Sequence, residues 1–205
     1  MDYLHCPQCG TGLTEQKRGK RDRRACPACD FVQYKNPTVG VAVILVENGK
    51  LLLVKRRSAS KGEMWCIPCG HVEWDEEIRS CARREMKEET GFDVIIGPVF
   101  DVHSNFHDLE RQTVGVWFLS EVCGGSLNPG SDAEEGRFFP LNDLPSDMAF
   151  PTDLLVCEKL RRLLASGEGA LEGLWRGGSE GRETGDLLPK AFGSGPQGRK
   201  DSPFP

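Results

Sequence analysis

Residues 70–92 read GHVEWDEEIRSCARREMKEETGF, a segment dense in glutamate and closed by glycine at position 91. Glu85, Glu88 and Glu89 are spaced by three and four, so on a helix their side chains are surface neighbours. Carboxylates gathered this closely raise one another's pKa unless a cation lies among them. Hard divalent ions such as magnesium take oxygen ligands and bind through a few carboxylates together with substrate phosphates. The segment therefore predicts a metal site suited to phosphate chemistry. Ile78, Cys81, Ala82 and Met86 recur at helical spacing and predict an apolar stripe facing a core, with the three glutamates projecting away from it. Asp75 is expected as the N-cap, with Glu76 and Glu77 in the first turn. Gly91 is expected to close the helix. Arg84 stands one turn before Glu88 and is expected to brace a carboxylate rather than bind substrate.

The pattern resembles the Nudix box: Gly, five residues, Glu, seven residues, then Arg-Glu-apolar-x-Glu-Glu-x-Gly-apolar. Gly70, Glu76, Arg84, Glu85, Met86, Glu88, Glu89, Gly91 and Phe92 fill every fixed position. The resemblance covers roughly residues 38–165 and implies an α/β fold, a mixed sheet sandwiched between helices. It implies hydrolysis of a nucleoside diphosphate linked to another group, with magnesium or manganese held mainly by Glu85 and Glu89 and assisted by Glu88. In the family the residue before the box glycine commonly offers a backbone carbonyl to the metal; here it is Cys69, where a second glycine is usual. Asp75 likewise stands where a glycine is frequent. The general base stays open between a box glutamate and an acidic residue from a later loop, a place that Glu135, beside Glu134, resembles.

The same resemblance bears on substrate. NADH pyrophosphatases of the family carry Ser-Gln-Pro-Trp-Pro-Phe-Pro after the box, whereas this chain has IIGPVFDVHSNF at 95–106. Residues 132–153, DAEEGRFFPLNDLPSDMAFPTD, look like ADP-ribose and related dinucleotide pyrophosphatases. ADP-ribose leads; FAD, NADH or a nucleoside triphosphate follow, and a non-catalytic nucleotide sensor is the rival class. Phe106 and Trp117 are candidates to stack on an adenine, though core packing is the commoner use of such aromatics.

Nine cysteines suggest metal rather than disulfides. Cys6-x-x-Cys9 and Cys26-x-x-Cys29 are two knuckles sixteen residues apart, the spacing of a tetrathiolate zinc site. So short a module has little core, and zinc would supply its folding free energy. The pattern resembles the zinc ribbon that precedes the catalytic domain in some Nudix enzymes. A third pair, Cys66 and Cys69 in WCIPCG, looks like a thioredoxin-type motif, but a redox pair should open a helix after a strand. The stretch aligns better with the approach to the Nudix box. Cys81, Cys123 and Cys157 are read as buried thiols.

Three regions follow: a zinc ribbon at 1–34, a Nudix domain at 38–165 and a disordered tail at 166–205, rich in Gly, Pro, Ser and charge. Val39, Val41, Val43 and Leu45 alternate as a strand does, and Asn48-Gly49 predicts a hairpin into KLLLVKR. Ser58 to Met64 reads as a polar loop. Pro151-Thr152-Asp153 opens a final helix whose apolar face is Leu155, Leu160, Leu163 and Leu164. A net charge of −5 gives no general reason for nucleic-acid or membrane binding. Lys17, Arg18, Lys20, Arg21, Arg23 and Arg24 form a basic run that would suit nucleic acid, but no aromatics interleave it, and a solvated hairpin looks the same. No apolar run is long enough to span a bilayer and MDYLHCPQCG lacks a signal peptide's apolar region, so a cytoplasmic location is the expectation. A homodimer stays open.

Overall fold

The computed structural model describes residues 2–56, 64–109, 111–130, 133–167 and 170–177. The ribbon is a two-stranded antiparallel hairpin, β1 (Thr14–Arg18) and β2 (Arg21–Ala25), over a small core of Cys6, Leu13 and Cys26 with Phe31 against it. The main sheet follows from β3 (Thr38–Glu47), β4 (Lys50–Arg56), β5 (Met64–Cys66), β6 (Cys69–His71), β7 (Phe92–Asn105), β8 (Thr113–Gly125) and β9 (Ala133–Pro140). Among the described residues there are three helices: α1 (Ile78–Thr90), α2 (Pro151–Ala165) and α3 (Ala170–Gly177).

β3 organises the sheet. It runs parallel to β8 from Thr38↔Thr113 to Leu45↔Ser120, antiparallel to β6 through Gly40↔His71 to Ala42↔Cys69, and meets β4 only at its far end. Asn48 and Gly49 both have positive φ (50° and 73°), the requirement of a two-residue primed hairpin turn. β7 extends the sheet beyond β8, while β5 and β9 flank β4. The sheet is therefore mixed, as expected.

Alternation along these strands makes the layers, because successive side chains point to opposite faces. Val41, Val43, Leu45, Leu52 and Phe118 meet Cys81, Ala82 and Met86 of α1. Ala42, Ile44, Leu51, Leu53 and Leu119 meet Val156, Cys157 and Leu160 of α2. The result is the α/β/α sandwich. No helix among the described residues is long and apolar enough to cross a membrane.

Several local expectations change. Cys81 and Cys157 are buried as expected, but Cys123 on β8 is exposed. The N-cap of α1 is Glu77, whose carboxylate accepts from Ser80 N at 2.8 Å; Asp75 lies in the preceding turn, and the first helical turn holds no acidic residue. Glu76 is withdrawn from that turn because Arg84 grips it. Gly91 closes α1 in the left-handed conformation, φ 79°, as expected. On α2, Leu155 faces solvent at 57 % exposure, and Val156 and Cys157 take its place beside Leu160. The expectation of a disordered tail does not hold over 170–177: Leu171 and Trp175, four apart, pack on the α2-side core. The Trp175 ring fills the space above Gly97, where a Cβ would approach it to 2.2 Å. Most of the expected polar loop at 58–64 and the remaining tail lie outside the described residues.

This layering predicts different costs for two helix positions. Met86→Ala, at a fully buried site, should lose about 2–5 kcal/mol in urea unfolding. Leu155→Ala should stay within about 0.5 kcal/mol of the parent. Equal losses at both would contradict the assignment of faces.

Candidate active site

The site is built where β6 crosses the exposed flank of α1. Cys69 N donates to Glu89 Oε2 at 2.8 Å, and Glu89 is only 2 % exposed. Glu89 thus does not project away from the core with its neighbours; it turns inward, where the strand's amide satisfies one oxygen of a carboxylate that burial would otherwise penalise. Gly70 lies directly over Glu85: a Cβ there would sit 1.9 Å from the carboxyl carbon. A side chain at this position would push the Glu85 carboxylate aside, which gives the box glycine a physical reason.

Arg84 ties the carboxylates together. Its Nε and Nη2 each donate to Glu76 at 2.8 Å in a bidentate fork, Nη1 donates to Glu85 at 2.7 Å and Glu88 at 3.3 Å, and Nη2 reaches the His71 carbonyl at 3.4 Å. The main brace is therefore on Glu76 and Glu85, more than on Glu88. The Arg84 hydrogen bonds hold Glu76 down to a pKa of about 2, and the carboxylates push that of Arg84 up. Glu88, the most exposed of the three glutamates, keeps a side chain about half open.

Glu85 and Glu88 open into a cleft of about 500 Å³ whose lining includes Cys69, Gly70, Trp117 and Asp153. Its far wall comes from the β7–β8 connection and the start of α2, with His107, Arg111 and Phe150. The Trp117 ring lies close over Gly115, and Nε1 donates to Asp153 Oδ1 at 3.1 Å. Asp153 also accepts from Ile67 N at 3.0 Å; burial nevertheless pushes its pKa up to about 7. His107 stands 5.3 Å from the Phe150 ring, and Arg56 lies over the same ring while donating to Cys69 Sγ at 3.6 Å.

The structure thus brings together Arg84, Glu85, Glu88, Glu89, Cys69 and Trp117. It does not bring Glu135 or Phe106 to the cleft. Glu135, on β9, ion-pairs with Arg137, and Phe106 is 61 % exposed; neither lines the cavity. Sequence reasoning missed Arg56, His107, Phe150 and, as a cleft residue, Asp153. Only Asp153 left a signal, as an acidic residue at a helix start. Cys66 and Cys69 stand on successive strands rather than at a helix opening, and hydrogen bonding to Cys69 together with full burial pushes the Cys66 thiol up. That is not the setting of a redox pair.

In the ribbon, the four sulfurs of Cys6, Cys9, Cys26 and Cys29 lie within 4.8 Å of one another. Three of the separations are 3.5, 3.6 and 3.8 Å. A zinc tetrahedron with bonds of about 2.3 Å spaces its sulfurs about 3.8 Å apart. Gln8 N and Ala28 N each donate to a knuckle sulfur at 3.4 Å.

Residues 35–158 match the NUDIX domain family. An ADP-ribose pyrophosphatase of Methanocaldococcus jannaschii is 33 % identical over 129 residues, 62 % of this chain and 76 % of that protein. The NAD-capped RNA hydrolase NudC of Stutzerimonas stutzeri is 28 % identical over 145 residues, 70 % of this chain; the chain spans about half the length of that relative. Among solved structures, a NUDIX hydrolase from Nitrosomonas europaea superposes with a TM-score of 0.70 at 28 % identity, over 80 % of this chain and 94 % of its own.

The Arg84–Glu76 pair predicts a pH dependence. A carboxylate held below its unfolded pKa contributes stability above about 4.5 and loses it as pH falls toward 2. Glu76→Gln should therefore be less stable than the parent at pH 6, with the gap narrowing between pH 5 and pH 3 in urea titrations. A gap that is constant across this range would show that the pair does not carry the effect.

Proposed function

The chain belongs to the Nudix family of pyrophosphohydrolases, and from that premise we propose that its cleft hydrolyses the diphosphate of ADP-ribose, giving AMP and ribose 5-phosphate. The observation that carries the reading is the approach of Glu85 and Glu89 to the strand that floors the cleft, with Glu88 opening into the same cleft. The similarity to an ADP-ribose pyrophosphatase supports the substrate.

The donor types suit magnesium or manganese: carboxylate oxygens on neighbouring turns of one helix, with room for phosphates beside them. Glu85 and Glu89 would mainly hold the ion, with the Cys69 backbone adjoining. Such an ion lowers the pKa of bound water and offsets charge on phosphoryl oxygens. The chain's own residues supply the rest. Arg84 fixes Glu85 and Glu76 against each other, so the carboxylates keep their spacing through turnover. Water adds to one phosphorus as the bridging P–O bond breaks, and the phosphate of the departing half takes the electron pair. The exposure of Glu88 on the cleft and its weak bond to Arg84 support it as the group that takes the water's proton. Glu135 serves less well as that base, because Arg137 already neutralises it away from the cleft. Phe150 offers an apolar face to the nucleoside, whereas Trp117, only 3 % exposed, packs mainly in the core; Arg56 and Arg111 offer charge to the phosphates. Zinc on the four ribbon thiolates is the structural counterpart, supported by their sulfur spacing.

A second reading is an NAD-type 5′ end of an RNA, favoured by the similarity to NudC proteins. A panel of ADP-ribose, FAD, NADH, NAD-capped RNA and nucleoside triphosphates, with magnesium or manganese and products separated by chromatography, decides among them. ADP-ribose should turn over fastest, and Glu89→Gln should lower kcat by about a hundredfold or more while leaving the unfolding curve cooperative. Near-normal turnover by that variant would overturn the assignment of the site. Failure of every diphosphate would place the chain among nucleotide sensors.

A further inference from the structure

The ribbon hairpin sorts its charges by face. In an antiparallel pair, directly opposite residues share one face. The register places Glu15 opposite Arg24 and Lys17 opposite Asp22, so one face alternates acid and base. The other face carries Gln16 opposite Arg23 and Arg18 opposite Arg21, with no carboxylate among them. Like charges directly opposite one another are destabilising, and Arg18 faces Arg21 across the ladder. Among the described residues Arg18, Arg21 and Arg23 form no ion pair, although Arg21 and Arg23 border a small cavity that Asp2, Glu15 and Asp22 also line. The basic face stands out in a chain whose net charge is −5.

An aromatic completes the face. Tyr34, ten residues beyond the basic run, places its ring under Arg23, with the guanidinium carbon 4.6 Å from the ring centre, and remains 62 % exposed. Gln16 Oε1 accepts from Arg18 Nη2 at 2.9 Å and steadies that guanidinium. A planar guanidinium on an open tyrosine ring beside two more arginines offers stacking and phosphate contacts together. Single-stranded nucleic acid asks for this combination: a basic track for its backbone and an aromatic surface for an unpaired base.

We propose that the Gln16, Arg18, Arg21 and Arg23 face of the ribbon, with Tyr34, binds single-stranded nucleic acid, with a base stacking at Tyr34 and Arg23 and flanking phosphates on Arg18 and Arg21. This surface lies wholly before β3 and does not rest on the ADP-ribose reading of the cleft. An acidic protein would pair with the arginines but has little use for the open ring.

The test uses the full chain with zinc bound and a fluorescently labelled RNA oligonucleotide of about ten nucleotides, read by anisotropy across a salt series. The parent should bind, and the combined Arg18→Gln, Arg21→Gln, Arg23→Gln variant should flatten the logarithmic salt slope by about 1.4 or more. Tyr34→Ala should weaken binding by roughly five- to a hundredfold, with Tyr34→Phe restoring it. Lys17→Gln, on the opposite face, should change the slope by less than one. Zinc content equal to the parent's certifies that each variant has folded. No binding by the parent in low salt would overturn the proposal. So would a Tyr34→Ala variant that binds like the parent, a Lys17→Gln loss as large as the triple variant's, or equal affinity for duplex DNA or inorganic polyphosphate. ADP-ribose hydrolysis, assayed alongside, should be unchanged in all ribbon variants; its absence in the parent would count against the cleft reading alone.

Discussion

The catalytic half of the molecule depends on one close approach, that of the β6 backbone to the carboxylates of α1. Gly70 has no Cβ, so the strand can lie over Glu85, and Cys69 N can reach Glu89 at 2.8 Å. Without that approach Glu85, Glu88 and Glu89 would be three charges on a solvated helix face, which is what such runs usually are. With it, one carboxylate is buried and hydrogen-bonded, one is roofed by backbone, and one is left open to the cleft. Their mutual repulsion is offset by Arg84, which donates to Glu76, Glu85 and Glu88 at once.

The sheet fixes that approach. β6 is held by β3 through Gly40↔His71, Val41↔Gly70 and Ala42↔Cys69, and α1 is held to the same strand through Val41, Val43 and Leu45. One strand therefore sets both the height of the loop and the depth of the helix. Its opposite face, through Ala42 and Ile44, sets α2, whose first residues bring Phe150 and Asp153 to the cleft. Ladder register and alternation together place groups that are more than sixty residues apart in sequence.

What the sequence made legible was whatever depends on local spacing. The helix, its closing Gly91, the Asn48-Gly49 turn and the paired cysteine knuckles all follow from neighbours within a few residues. Periodicity identified the faces of α1 but not their depth, so the inward turn of Glu89 was hidden; it depends on an amide from β6. The cap moved from Asp75 to Glu77 because Arg84, eight residues on, claims Glu76. Glu135 and Phe106 looked eligible by position in the chain, yet Glu135 pairs with Arg137 on β9 and Phe106 lies exposed in the β7–β8 connection. His107, Arg56 and Phe150 gave no local sign because three separate segments bring them together. Tyr34 escaped notice for the same reason, its partner Arg23 standing across a turn of the ribbon.

Manganese binding tests the central claim most directly, since it reports the carboxylate cluster without requiring any particular substrate. Titrating Mn2+ by electron paramagnetic resonance into the parent and into Gly70→Ala should show affinity falling by about tenfold or more in the variant, while its unfolding remains cooperative. The added methyl would displace Glu85 from beneath β6. Unchanged Mn2+ affinity in a folded Gly70→Ala protein would contradict the account, because it would mean that the cation site does not depend on the strand lying against the helix.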